Sequence, residues 1–443
     1  MRLSLLLPIL ALVAPLPAAA QPQSAPAPAA APVRADPALA ARARELVAIL
    51  GGAGDYDALF APGFRTAIPK AKLDPVNAQL AATGGPIVGI ESIEPQTPFS
   101  GLVKVAYRNA VASIALVLDP RPPHQVTGLR VLGMSGRERT LDEVAAALRT
   151  LPGATGFALA KLGDSTPQLL AFHQPEQRFA IGSAFKLVIL AELVRATTAN
   201  ERKWDDLVTL DGSMLPAGGY NLKPKGTQVS LRELATQMIS ISDNSATDIL
   251  LKTLGRERVE AMLPVVGAAP DPRNRPFLST MEMFKLKGIA DLAPRYLALD
   301  EAGRRRMLDR EIADAPALLI RPDLFRDGKP VMIDTLEWYM SPADLVRVMD
   351  WLRRNSEGPA GAEARAILSK NPGIPRNVAS GWQWVGFKGG SEPGVLNLTL
   401  LLQAKDGDWY ALTGSWNDPA RDVDTLRFVG LIGRAAELDF GAP

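Results

Sequence analysis

The chain contains no cysteine. That excludes disulfides, thiolate metal sites, a cysteine nucleophile and a lipid-modified cysteine anchor. Histidine is nearly absent as well, with only His124 and His173 in 443 residues. Zinc chemistry built on several histidines is therefore not expected, and a Ser-His-Asp triad has to use one of these two. Net charge is also scarce. Lys plus Arg number 49 against 47 Asp plus Glu, a formal +2, which gives no electrostatic reason to expect nucleic acid or an anionic membrane as partner. Beyond the first twenty residues no run is long and apolar enough to span a bilayer.

What is present is ordinary globular composition, 47% hydrophobic and 22% charged, on a chain long enough for two folded domains. The first twenty residues combine Arg2, an apolar run over 3–13 broken by Pro8, and the small residues Ala18, Ala19 and Ala20 before Gln21. This pattern predicts a secretory signal, 1–20, cleaved from a periplasmic or secreted protein that keeps no membrane anchor. Residues 21–36 are mostly Ala and Pro and read as a linker.

A small α+β domain is expected over 37–136. Asp36-Pro37 opens a helix that should end near Leu50, before Gly51-Gly52. Runs rich in Val and Ile follow at 86–90, 102–107, 111–118 and 126–132, one or two helices packing on their sheet. A second unit is expected over 137–443. Thr140 and Glu143 are spaced as a capping box, a hairpin is predicted from 156–162 and 168–173, and late strands fall at 382–388, 395–403 and 409–415. Asp406-Gly407 turns the last pair, and a C-terminal helix follows Asp418. Strands at both ends with helices between predict a sheet assembled from distant parts of the chain.

Three short patterns carry chemistry. Ser183 and Lys186 are three apart at the start of an apolar helix, which puts them on one face; burial would lower the lysine's pKa and let it activate the hydroxyl. Ser242-Asp243-Asn244 lies between two helices, the first opened by Ser230 and Glu233, the second closed at Gly255. Lys388-Gly389-Gly390-Ser391 ends a predicted strand. There a cation beside glycines lets a substrate lie close to the strand edge. Each pattern alone is common: Ser-x-x-Lys arises by chance, Ser-Asp-Asn is a good turn or N-cap, and a lysine often precedes a Gly-Gly turn.

Their order and spacing change that reading. The chain resembles the class A serine β-lactamases and penicillin-binding proteins, which carry Ser-x-x-Lys, Ser-Asp-Asn and Lys-Thr-Gly in this order. Residues 178–183 and 238–248 share the surrounding wording. The resemblance covers roughly 137–443 and implies an antiparallel sheet flanked by helices plus an α-helical subdomain, an α/β β-lactamase-like fold. It implies that Ser183 is acylated, that Lys186 takes its proton and that Ser242 relays a proton to the leaving group. It also implies that Asn244, Lys388 and Gly390 bind substrate, with the N–H groups of Ser183 and Ser391 as oxyanion hole. No cofactor or metal is implied; the partner is a small molecule, a β-lactam, an ester or a peptidoglycan-like peptide. Oligomeric state stays open.

Two departures qualify this. Gly389 stands where the family usually has Thr or Ser, so restoring threonine is expected to strengthen the hold on a β-lactam carboxylate. The Glu-x-x-Leu-Asn motif, whose glutamate activates the deacylating water, is missing from 275–285; Ser279 and Glu282 are the further candidates there. Extra chain around 286–338 is expected to cap the cleft. This architecture is similar to the two-domain serine hydrolases of the clavulanic-acid-cluster type, which pair a steroid-isomerase-like domain with the lactamase fold and are esterase-like. That resemblance implies slow β-lactam turnover beside ester or thioester hydrolysis. A D,D-peptidase and a non-catalytic sensor share the same motifs and remain alternatives.

Overall fold

A computed structural model describes residues 33–438 and 440; the predicted signal and most of the linker lie outside this span. Helix α1, Pro37–Leu50, begins where Asp36 accepts a hydrogen bond from Ala38 N at 2.8 Å, with proline at its first position. Strands β1 (Ile87–Thr97), β2 (Ser100–Tyr107), β3 (Ala110–Leu118) and β4 (Val126–Gly136) form a sheet in sequence order, each pair antiparallel. Its apolar core draws wholly on residues 39–134. The helical content exceeds the expected one or two helices. Short helices Tyr56–Leu59 and Pro62–Ala67 precede α2, Lys70–Gly84. The pattern of α2 is weak because only Leu73, Leu80, Thr83 and Gly84 are buried, with Pro75 inside it.

Helix α3 (Leu141–Arg149) starts with Thr140 Oγ1 accepting from Glu143 N at 3.1 Å. The second sheet is built from β5 (Ala154–Leu162), β6 (Gln168–His173), β7 (Trp384–Glu392), β8 (Val395–Gln403) and β9 (Trp409–Asn417). Its order is β7-β8-β9-β5-β6, all antiparallel, so the two ends of the unit meet at β9 and β5. Residues on both faces of β8 are buried. Leu400, Leu402 and Leu412 pack with α3 and the C-terminal helix Thr425–Glu437, while Leu401, Ala411 and Ala160 join the helical side. The C-terminal helix and its cap also touch the first unit: Thr83 Oγ1 bonds Asp424 Oδ2 at 3.0 Å, and Arg427 Nη1 donates to Asn109 O at 3.3 Å.

This sandwich leaves β7 at a sheet edge with the helical half beside it, and the three motifs meet along that edge. Among the described residues no helix is long and apolar enough to cross a membrane.

Candidate active site

Ser183 sits in a 3-10 turn, Gly182–Phe185, that runs directly into helix α4, Lys186–Thr198. The expected helical start is thus tighter than an α-turn. In a 3-10 turn residues three apart eclipse one another, so Ser183 and Lys186 lie on one face. Lys186 is fully buried. Its Nζ donates to Ser242 O at 2.7 Å, Ser242 Oγ at 3.1 Å and Asn244 Oδ1 at 2.7 Å.

Ser242 occupies the connection between α5 (Leu231–Ser240) and α6 (Asn244–Leu254) with φ +62. A non-glycine residue in that left-handed region marks a held conformation. Asp243 does the holding. Its Oδ1 accepts from Ala246 N at 2.8 Å and Ser245 Oγ at 2.6 Å, and its Oδ2 from Gly219 N at 2.5 Å. The middle residue of the motif therefore anchors the turn while Ser242 and Asn244 face the cleft.

Lys388, on β7, reaches the same point from the opposite side. Its Nζ donates to Ser242 Oγ at 3.1 Å and Gly389 O at 2.5 Å. Burial drives Lys388 well below the usual lysine pKa, and neighbouring Lys186 adds to the effect. Burial lowers Lys186 to about 7, opposed by the charges of Asp248 and Asp243. Near neutrality Lys186 is thus divided between an amine that can accept a proton and an ammonium that can give one back.

The strand carrying Lys388 is pressed against the Ser183 turn. A Cβ on Gly390 would overlap Ile181 O and Ser183 N, and one on Gly182 would come to 2.9 Å from Ser391 N. Only glycine permits that approach. It brings the Ser183 and Ser391 backbones side by side, the arrangement a pair of N–H donors to one oxyanion needs. Two cavities open from this point, and Ser183, Asn244 and Ser391 line both. The larger, about 470 Å³, runs along Lys388, Gly390 and Asn397. The smaller, about 240 Å³, is walled by Phe185, Phe284, Phe325, Trp338, Glu337 and Glu392. Phe325 comes from the extra segment, which therefore does contribute to the cleft.

Ser279 and Glu282 are not brought to either cavity. They form a capping box at the start of helix α7, Thr280–Gly288. Ser279 Oγ accepts from Glu282 N at 3.2 Å and Glu282 Oε2 from Ser279 N at 2.7 Å. Both Glu282 oxygens are also bound by Arg256, at 3.0 and 2.6 Å. The expectation that one of the two faces the cleft is corrected: both are engaged at the start of a helix. Of that stretch, Thr280, Met283 and Phe284 line the smaller cavity, and Thr280 begins the helix. The N–H groups of Thr280 and Met281 donate to buried Asp248 at 2.7 and 2.9 Å. Burial raises Asp248 to about 6 against these two donors.

The expected benefit of threonine at position 389 is corrected too. A Cβ there would lie 2.7 Å from Asn397 O and 2.8 Å from Phe387 Cζ, because the Phe387 ring fills that space. Neither histidine lines a cavity beside Ser183. His124 bonds Asp119 O at 3.0 Å in the first unit, and His173 ends β6. Sequence reasoning missed Thr280, Phe325, Glu337, Trp338 and Glu392. Only Glu392, directly after Ser391, stood close enough to a motif to have been noticed.

The Ser183 turn, two buried lysines on one serine and a glycine-lined strand edge make a β-lactamase-like arrangement. The model of the beta-lactamase enzyme family matches residues 138–437, and the chain belongs to that family. No curated protein matches the chain. Among solved structures, a β-lactamase from Sphaerobacter thermophilus is 21% identical, covering 67% of this chain and 94% of its own, with TM-score 0.47. A β-lactamase from Chitinophaga pinensis is 17% identical, covering 67% and 95%, with TM-score 0.45. A mutant of PBP-A in acyl-enzyme complex with penicillin G is 15% identical, covering 67% and 94%, with TM-score 0.45.

Proposed function

We propose that this protein is an exported serine hydrolase that works through a covalent acyl-enzyme on Ser183, turning over small esters readily and β-lactams slowly. The observation that carries the reading is the shared acceptor: Lys186 and Lys388, both buried and both with lowered pKa, meet at Ser242 Oγ. In this reading Ser183 Oγ attacks the substrate carbonyl carbon as Lys186 takes the hydroxyl proton. The Ser183 and Ser391 N–H groups bind the oxyanion, and Asn244 orients the substrate. Ser242 passes a proton to the leaving oxygen or nitrogen and regains one from the lysine pair. Lys388 and the Gly390 edge receive the substrate's charge. Export rests on the pattern of residues 1–20.

Slow β-lactam turnover follows from the absence of Glu-x-x-Leu-Asn and from the place of Glu282 in a cap. General-base help is worth about a hundred- to ten-thousand-fold, so a bulky adduct that displaces water from the smaller cavity should persist. The test is a panel of an acetyl ester, nitrocefin and a D-Ala-D-Ala peptide on the purified protein, with intact-mass detection of adducts. Faster ester than lactam hydrolysis and a penicilloyl adduct on Ser183 are expected. Preferred cleavage of the peptide would make it a D,D-peptidase, and no adduct with any substrate or fluorophosphonate would make it a binding protein.

A further inference from the structure

The smaller cavity beside Ser183 contains ionisable groups that the acylation chemistry does not use. Lys287, fully buried on α7, donates to Glu337 Oε1 at 2.7 Å and to Glu392 Oε1 at 2.6 Å. The three residues come from separate places: the helix after the Ser279 cap, the segment entering Tyr339, and the end of β7. Glu337 is 3% exposed, and its second oxygen accepts from Trp338 N at 3.2 Å. Both carboxyl groups line the cavity with Ser183 and Ser391. Two acids share one cation there, so the cluster would carry one negative charge in excess if both ionised. Burying uncompensated charge costs several kcal/mol unless chemistry or protonation offsets it, and a structural ion pair would need only one of the two acids.

We propose that Glu392, held by Lys287 and backed by Glu337, is the general base that activates water for hydrolysis of the Ser183 acyl-enzyme. The inference rests on the acyl-enzyme reading above and adds the residue that completes the second half-reaction. Water's oxygen bonds to the acyl carbonyl carbon while its proton passes to Glu392. The tetrahedral intermediate then collapses, the bond from that carbon to Ser183 Oγ breaks, and Glu392 returns the proton to Ser183 Oγ as the carboxylic acid product leaves. No oxidant, metal or co-reactant is needed. Geometry also explains the preference for small acyl groups. A water occupies about 30 Å³ of liquid volume, so a cavity of about 240 Å³ holds an acetyl-sized group and the water together. A penicilloyl group, several times the size of acetyl, leaves correspondingly less room for that water.

The charged groups facing Glu392 are Lys287 from α7 and Glu337 from the segment before Tyr339; its strand partner, Val395, is uncharged. Burial raises the Glu392 pKa well above the usual carboxylate range, Glu337 raises it further, and Lys287 opposes both. A carboxyl group with a raised pKa is protonated, and idle as a base, at low pH, and becomes competent as pH rises through that shifted value. Decay of a preformed acyl-enzyme should therefore accelerate with pH over a range displaced upward from ordinary carboxylates.

The test separates the two half-reactions. Full-length protein and its Glu392→Gln variant are labelled with a chromogenic acetyl ester and with penicillin G, and adduct loss is followed by intact mass across pH. In Glu392→Gln the Ser183 adduct should still form and should accumulate even from the acetyl ester. Its decay should be slower by about a hundred- to ten-thousand-fold, and the pH-dependent rise assigned to Glu392 should be gone while any contribution from Lys186 remains. An adduct that forms and decays at the wild-type rate overturns the inference and leaves the acyl-enzyme reading intact. Absence of any Ser183 adduct in the wild type overturns both. Should Glu392→Gln fail to fold, the wild-type profile decides: decay that does not change with pH, or that titrates in the ordinary carboxylate range, overturns the assignment.

Discussion

Lys186 and Lys388 share a single acceptor, each with its Nζ 3.1 Å from Ser242 Oγ. Two full positive charges converging on one hydroxyl in a buried site repel strongly, so at least one amine is neutral near neutral pH. On that side the hydrogen bond can reverse, with Ser242 O–H donating to the amine. The serine hydroxyl thus bridges two amines, and its left-handed backbone is the conformation that places it there.

The lysine pair predicts a pH dependence for acylation. With Lys186 lowered to about 7, the base form is present above that value and is lost as pH falls through it. The burst rate constant of adduct formation should rise with pH and level off above about 8, one unit beyond the midpoint. A Lys186→Ala variant should acylate about a hundred- to ten-thousand-fold more slowly. A variant that labels at a near-normal rate would assign the base to another group.

Ser183→Ala should abolish covalent labelling and leave the fold untouched. Ser183 lies within a 3-10 turn rather than at an N-cap, so its hydroxyl has no capping role to lose. The melting temperature should shift by less than about 1 °C, corresponding to under about 1 kcal/mol in a unit of this size. Continued labelling of the variant by fluorophosphonate would remove Ser183 from the mechanism.

Substitutions at the two glycines of the third motif should fail for packing reasons. Gly389→Thr brings a side chain against Asn397 O and the Phe387 ring, an overpacking cost of about 1–3 kcal/mol. Penicillin acylation should not improve, and the melting temperature should fall. Gly390→Ala drives its methyl group into Ile181 O and Ser183 N, so acylation of every substrate should collapse. Calorimetry and burst kinetics on both variants check this; a Gly390→Ala protein that labels normally would show that the strand edge can move away from the turn.

Glu282→Gln should cost stability rather than catalysis. It weakens the paired hydrogen bonds to Arg256 and the reciprocal cap with Ser279, a loss of about 1–3 kcal/mol for a bond to a charged group. Denaturant midpoints should fall, with acylation and decay rates both retained. A selective slowing of adduct decay in this variant would return Glu282 to the role of base.

Chain order alone made much of the fold legible. The strands at 102–107 and 111–118 and the Asp36, Ser230 and Gly255 helix boundaries correspond closely to what forms, because caps, prolines and β-branched runs act within a few residues. Helix α2 escaped because few of its residues are buried, which leaves little apolar periodicity to read. Ser279 and Glu282 drew attention only by lying where Glu-x-x-Leu-Asn was missing, and their spacing as a capping box went unread: a cap and a catalytic carboxylate near a serine look the same along a chain.

By itself the sequence determined the three motifs and the family they mark, since each motif is carried by neighbouring residues on one local element. Tertiary structure decided the rest. Lys287 reaches Glu337 and Glu392 across 50 and 105 positions of chain, and Phe325 joins Phe185 and Trp338 around the smaller cavity. No local pattern encodes such meetings. They arise when β7 packs against the 3-10 turn and α7 swings its lysine beneath them, and the burial that shifts the pKa values of Lys186, Lys388 and Glu392 exists only once that packing is complete.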